Sequence, residues 1–192
     1  MLAGAERKTF AGVLPGVLFI GRHIRTMHET EVVIDSVIQA IDSVLELESY
    51  PKCTPIIILG GKGFIGRRVV KRLKGREVFS VDKSSDKGRK VSRDWPTQLK
   101  GSPTLLVNIS RKFVLEHYLP EIWPELVLLN EVYPEPSKTE LEHFQSQGGG
   151  IYHLAGVVGK AFPAFPKAYS GSIPCSAAHG HKNLQVNVKK LG

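Results

Sequence analysis

Two cysteines, Cys53 and Cys175, are all that the chain contains. That is too few for a disulfide framework, and the repeated Cys-x-x-Cys spacing of a zinc module is missing, so a reducing, cytoplasmic setting is expected. No apolar run approaches the roughly 20 residues needed to cross a bilayer, and Met1 to Thr9 lack the apolar centre of a secretory signal. No membrane association is expected. No Gly-Lys-Ser/Thr closes a Walker loop, and no helix-turn-helix or RNA-recognition signature occurs. Nucleic acid is therefore not an expected partner, although the formal net charge is +8. Its basic residues gather as Arg67-Arg68, Lys71-Arg72, Lys74 and Arg76, then Lys83, Lys87, Arg89 and Lys90. An anionic small molecule, or simply a solvated helix face, explains that placement.

What is present is a core-forming composition, 42% hydrophobic over 192 residues, enough for one domain. Its most informative stretch is the apolar run Ile56-Ile57-Ile58-Leu59, which breaks into Gly60-Gly61-Lys62-Gly63-Phe64-Ile65-Gly66 and resumes with helical spacing at Val69, Val70 and Leu73. Strand, glycine loop and helix in that order, with Gly61-x-Gly63-x-x-Gly66 inside, match the dinucleotide fingerprint. One glycine serves the tight turn, one admits a pyrophosphate, and one lets helix and strand touch. A second strand over 77–82 ends in Asp82, about twenty residues on, where a ribose-binding carboxylate belongs. Asp82 favours NAD. The cationic and polar residues Lys83, Ser84, Ser85, Lys87 and Arg89 keep NADP open, because they can neutralise a 2′-phosphate. Lys62 can reach the phosphates or face solvent.

The remaining pattern is βα alternation. A helix spans about 27 to 48, with Thr26 and Glu29 as a candidate capping box and Pro51 closing it. Further strands are expected at 105–109, 126–130 and 151–155, helices at 64–74, 113–118 and 138–146, with Ser137 capping the last of these. The fold class expected is α/β: a doubly wound, mostly parallel sheet of the Rossmann type. Residues 1–50 form an N-terminal arm and amphipathic helix, 51–160 the nucleotide domain, and 161–192 an aromatic, proline-rich loop and tail packed on it. In that tail, Phe162-Pro163, Phe165-Pro166 and Tyr169 form a lid, a pocket wall or a cover for the sheet end.

The segment from Asn130 through Tyr133-Pro134, Thr139 and Leu141 to Gly148-Gly149-Gly150 and Ile151-Tyr152-His153-Leu154-Ala155-Gly156 resembles the C-terminal half of shikimate dehydrogenases, over roughly residues 50–160. The likeness implies a nicotinamide-cofactor domain in which Asn108 to Ser110 and Glu131 to Tyr133 face the nicotinamide. The family's N-terminal substrate domain has no counterpart in the residues that precede Ile56, and its glutamine shortly after Gly156 is absent. A shorter stretch, Gly150 to Val158 followed by Cys175-Ser176-Ala177-Ala178, is similar to long-chain acyl-carrier-protein reductases. That likeness implies Cys175 as a nucleophile towards a thioester.

The function expected is an NAD(P)-dependent oxidoreductase of dehydrogenase type, with a small carbonyl or hydroxyl compound as substrate and the cofactor supplying the hard chemistry. Two alternatives remain: a non-catalytic nucleotide-binding or scaffold module, and an acyl-thioester reductase using Cys175. Tyr133 and His153 are candidate proton donors, and His153 also reads as a hydrogen-bonded wall residue. Cys175 also reads as a small buried residue. Cys175, His179 and His181 have no standard zinc spacing, so no metal is expected. A homodimer is compatible with the sequence.

Overall fold

The structure is a computed structural model that describes residues 27–82, 91–161, 164–165, 169, 171–178 and 184–192. Thr26 of the candidate capping box, the arm before it, Lys83, Phe162-Pro163, Pro166, His179 and His181 lie outside these residues.

A long helix, α1 (Met27–Leu47), opens the described chain. Ile34, Val37, Ile41, Val44 and Leu45 recur at three and four residues and are buried along one stripe. Five strands then run parallel: β1 (Ile56–Leu59), β2 (Val78–Val81), β3 (Thr104–Asn108), β4 (Leu126–Asn130) and β5 (Ile151–Val157). A sixth, β6 (Val186–Lys190), pairs antiparallel with β5, and the sheet order is β2-β1-β3-β4-β5-β6. This is an α/β protein with a mostly parallel sheet. The sequence pattern marks no strand after 155. Val186 and Val188 alternate, but the run is short and polar, and its extended form depends on pairing with β5 across a register shift between Leu154 and Gly156.

Both faces of the sheet are covered, as parallel strands require. Ile56, Ile58, Leu105, Val107, Val127 and Leu129 meet α1 and the short helix α2 (Gly66–Arg72) on one side. Ile57, Leu59, Leu106 and Leu128 meet Trp95, Tyr118, Trp123 and Phe144 on the other. That second layer is built from 3-10 turns at Thr97–Leu99 and Leu115–Glu121 and from α3 (Lys138–Gln147). Pro120 lies within the longer turn, which removes a backbone donor from any regular helix there. Trp95 packs against Tyr118 with centroids 5.0 Å apart and against Trp123 at 6.2 Å, so an aromatic cluster covers this part of the sheet. α3 begins in a reciprocal cap: Glu140 N–H donates to Ser137 Oγ at 3.3 Å, and Ser137 N–H donates to Glu140 Oε2 at 2.6 Å. α1 shares the sheet's own core, and no described helix is long and apolar enough to cross a membrane.

Candidate functional site

The chain leaves β1 in one direction, through α2 to the edge strand β2, while the next strand to be laid down, β3, is β1's other neighbour. At such a reversal the loops diverge and a crevice opens beyond the carboxyl ends of the strands. The glycine loop lies there. Gly60 has φ 93, and a Cβ on it would stand 2.8 Å from Ile109 O and Ser110 N, so loop and β3 touch only because the side chain is missing. A Cβ on Gly66 would lie 2.1 Å from Gly60 O, and one on Gly61 would meet Ser80 of β2. Gly63 differs: among the described residues only Gly60 O, at 3.0 Å, comes within 4 Å of its would-be Cβ. The loop is packed on three glycines and open at the fourth. Ile65 packs on the core just before α2.

Asp82, just past β2, accepts the Lys62 backbone N–H at 3.2 Å, which ties the acid to the loop. Its own carbonyl accepts the Tyr118 hydroxyl at 2.8 Å, and that hydroxyl in turn accepts Ser92 N–H at 3.2 Å. Tyr118 is thus a positioning residue that no local motif marks. The Lys62 ammonium, largely exposed, pairs with Asp94 at 2.7 Å. That hydrogen bond raises the lysine pKa and lowers that of Asp94. The exposed Phe64 ring stacks under Arg68, whose guanidinium carbon is 3.9 Å from the centroid. Arg72 is held by Glu31 and Asp35, and Arg76 by Asp42, all on α1. Arg72 therefore ties α2 to α1, Arg76 ties the turn after α2 to it, and both cations are engaged there.

Across the sheet, the register sets Asn108 beside Asn130 and Asn130 beside His153. Their side chains form a buried row with one direction. The Ser110 hydroxyl donates to Asn108 Oδ1 at 2.5 Å, Asn108 Nδ2 to Asn130 Oδ1 at 2.8 Å, and Asn130 Nδ2 to Val132 O at 2.7 Å and to His153 Nδ1 at 3.1 Å. Because the amide nitrogen can only donate, Nδ1 accepts, and the imidazole proton sits on Nε2. Burial pushes the His153 pKa down, and the ring is 2% exposed. It is a neutral, hydrogen-bonded wall residue at neutral pH.

On the α1 face of the same strand ends lies a second group. Tyr133, 51% exposed, stacks on Tyr169 with centroids 5.1 Å apart and planes 7° from parallel, and Phe165 meets Tyr169 edge-on at 5.8 Å. Cys175 opens a 3-10 turn, Cys175–Ala177, packed into the core beneath. Desolvation, and less so the neighbouring Glu131, pushes its thiol up to about 12, against a hydrogen bond with Ser36. A thiol so held is not a thiolate at neutral pH. Alkylation at pH 7 is expected to consume the exposed Cys53 quickly, with Cys175 reacting only after denaturation. A fast, NADH-sensitive reaction at Cys175, located by peptide mass spectrometry, would restore the nucleophile. Among the described residues no group of three or more His, Cys, Asp or Glu is placed to hold a metal.

Fold and site together define an α/β protein with a glycine loop and an acid at the carboxyl edge of a mostly parallel sheet. No family model matches the chain, and neither a curated protein nor a solved structure matches it.

Proposed function

We propose that the protein is an NAD(P)-dependent oxidoreductase of dehydrogenase type, with the sheet as its Rossmann-like platform and a small carbonyl or hydroxyl compound as substrate. The observation that carries this is the union of the glycine loop with Asp82 at the switch between β1 and β3. Gly63 offers backbone without a side chain where an anion can approach, and the first turn of α2 carries Arg67 and Arg68 and no acid. Gly60 to Gly66 would hold the pyrophosphate, and Asp82 the ribose hydroxyls. Asn108 and Ser110 stand where the strand ends meet the other half of the dinucleotide. When bound, the nicotinamide supplies or accepts hydride. The protein's part is to orient it and to move a proton.

The strand order sets β2 at the edge, as in doubly wound sheets that run 2-1-3-4-5, and these too bind ligands at the switch point. Titration calorimetry with NAD, NADH, NADP and NADPH tests the proposal, and a micromolar dissociation constant for one pair is expected. Asp82→Ser should weaken NAD about tenfold, ~1.4 kcal/mol, and improve NADP relative to it, because a carboxylate repels the 2′-phosphate. A wild type that already prefers NADP strongly would show that Asp82 serves another purpose.

A second reading, a non-catalytic nucleotide-binding module, is favoured by the neutral, buried His153 and the protonated Cys175. It predicts cofactor binding with no consumption of NADH or NADPH over a panel of aldehydes and ketones.

A further inference from the structure

We propose that Glu131 is the acid–base residue of the crevice, protonating the substrate's carbonyl oxygen during reduction and recovering the proton from the hydroxyl during oxidation. This rests on the oxidoreductase reading above.

Glu131 directly follows β4, and its backbone N–H donates to Asn108 O at 3.0 Å, which anchors it to the end of β3. Along β4, Val127 and Leu129 face α1, and the alternation of a strand turns Glu131 to that side, where it lies beside Cys175. The Tyr133–Tyr169 stack belongs to the same group, since Tyr169 lies within electrostatic reach of both Tyr133 and Cys175. The residue is half-buried, yet among the described residues no donor and no cation reaches its carboxylate. A sheltered carboxyl without a partner is costly unless something arrives to use it.

The groups around it leave it so. α1 contributes the uncharged Ser36 and the 3-10 turn the protonated Cys175. On β5 and β6, Tyr152, Leu154 and Val188 face α1, so His153 and Lys189, paired in register, turn to the opposite face, where Glu135 takes Lys189 at 2.9 Å. Desolvation accordingly raises the Glu131 carboxyl from 4.5 to about 7, where an acid–base group works in both directions near neutral pH. In the reduction, the carbonyl carbon gains a hydride with its electron pair from reduced nicotinamide, which is thereby oxidised. The C=O π pair moves to oxygen, and that oxygen takes the Glu131 proton. The carboxylate left behind is reprotonated from solvent.

The test compares the full chain with Glu131→Gln, which keeps the shape of the side chain and cannot exchange a proton. NADH and NADPH should bind both forms within about twofold. Infrared difference spectra between pH 5 and pH 9, with no ligand, should show a protonated carboxyl band that titrates near 7 in the wild type and is missing in the variant. With NADH or NADPH and the aldehyde and ketone panel, wild-type reduction should fall about tenfold per pH unit above 7. The variant should be at least about a hundredfold slower. Thermal unfolding adds a control on the fold. Because the folded-state pKa is raised, the held proton stabilises fully below 4.5, and that advantage is lost as pH rises to about 7, whereas Glu131→Gln lacks this loss. A variant that reduces the panel within threefold of wild type, or a wild type without the titrating band, overturns Glu131. So does a wild type that binds cofactor but turns nothing over. A wild type that binds neither NADH nor NADPH overturns the cofactor reading itself, and the reduction step with it.

Discussion

Gly66→Ala should cost the fold about 3 kcal/mol, while Gly63→Val should leave the fold nearly intact and abolish dinucleotide binding. The difference lies in what each new Cβ would meet. At Gly66 it would be 2.1 Å from Gly60 O and 2.8 Å from Gly61 Cα, and both are backbone atoms of a loop already held to β2 and β3. Neither rotamer nor side-chain movement relieves such a clash, so the loop must shift and α2 with it. At Gly63 the only close atom among the described residues is Gly60 O at 3.0 Å, a contact relieved by a few tenths of an ångström. The branched side chain then occupies the open side, where a pyrophosphate has to approach. Urea denaturation checks the first variant, through a lowered midpoint at constant slope. Calorimetry checks the second. Unchanged affinity in Gly63→Val would remove the phosphate site from this loop whatever the stability shows.

Asn130→Leu should destabilise the protein by about 3–5 kcal/mol. Asn130 lies in the middle of the row, with one acceptor and one donor nitrogen engaging Asn108, Val132 and His153. Leucine is close in size but leaves Asn108 Nδ2 and His153 Nδ1 buried without partners, at about 1–3 kcal/mol for each orphan. The loss should appear as a drop in Tm of roughly 2–4 °C per kcal/mol for a chain of this size. A loss below about 1 kcal/mol would mean that the row is wet and that its hydrogen bonds are replaced by water. The row also reaches the candidate site: Ser110 at one end abuts Gly60 of the glycine loop, and Glu131 follows Asn130 directly.

Much of the site was legible as spacing. The glycine loop and Asp82 are visible because a turn between strand and helix needs its glycines at set positions, and a βαβ unit returns the chain to the sheet edge after a nearly constant length. The roles of the polar residues were less visible. Asn108 and His153 can be named from the sequence, but their hydrogen-bond direction depends on Asn130, which is their neighbour only through strand register. Glu131 is named from the sequence only through the resemblance, as part of a stretch facing the nicotinamide, and its raised pKa has no local signal, since desolvation is a property of what surrounds a carboxyl. Lys62 and Asp94, 32 positions apart, pair across a loop that no periodicity describes.

The sequence by itself determined the local elements: α1 from its apolar stripe, β1 with its loop, the Ser137–Glu140 cap, and the five parallel strands from their apolar runs. Each depends on residues within a few positions of one another, where backbone geometry leaves few choices. Only the tertiary structure decided that β6 closes the sheet, that Trp95, Tyr118 and Trp123 serve as its second layer, and that Arg72 and Arg76 bind α1. It also decided that Cys175 is sheltered and that Glu131 has no partner among the described residues. These outcomes turn on contacts between distant segments and on the water that such contacts exclude, and neither is encoded by any one stretch of the chain.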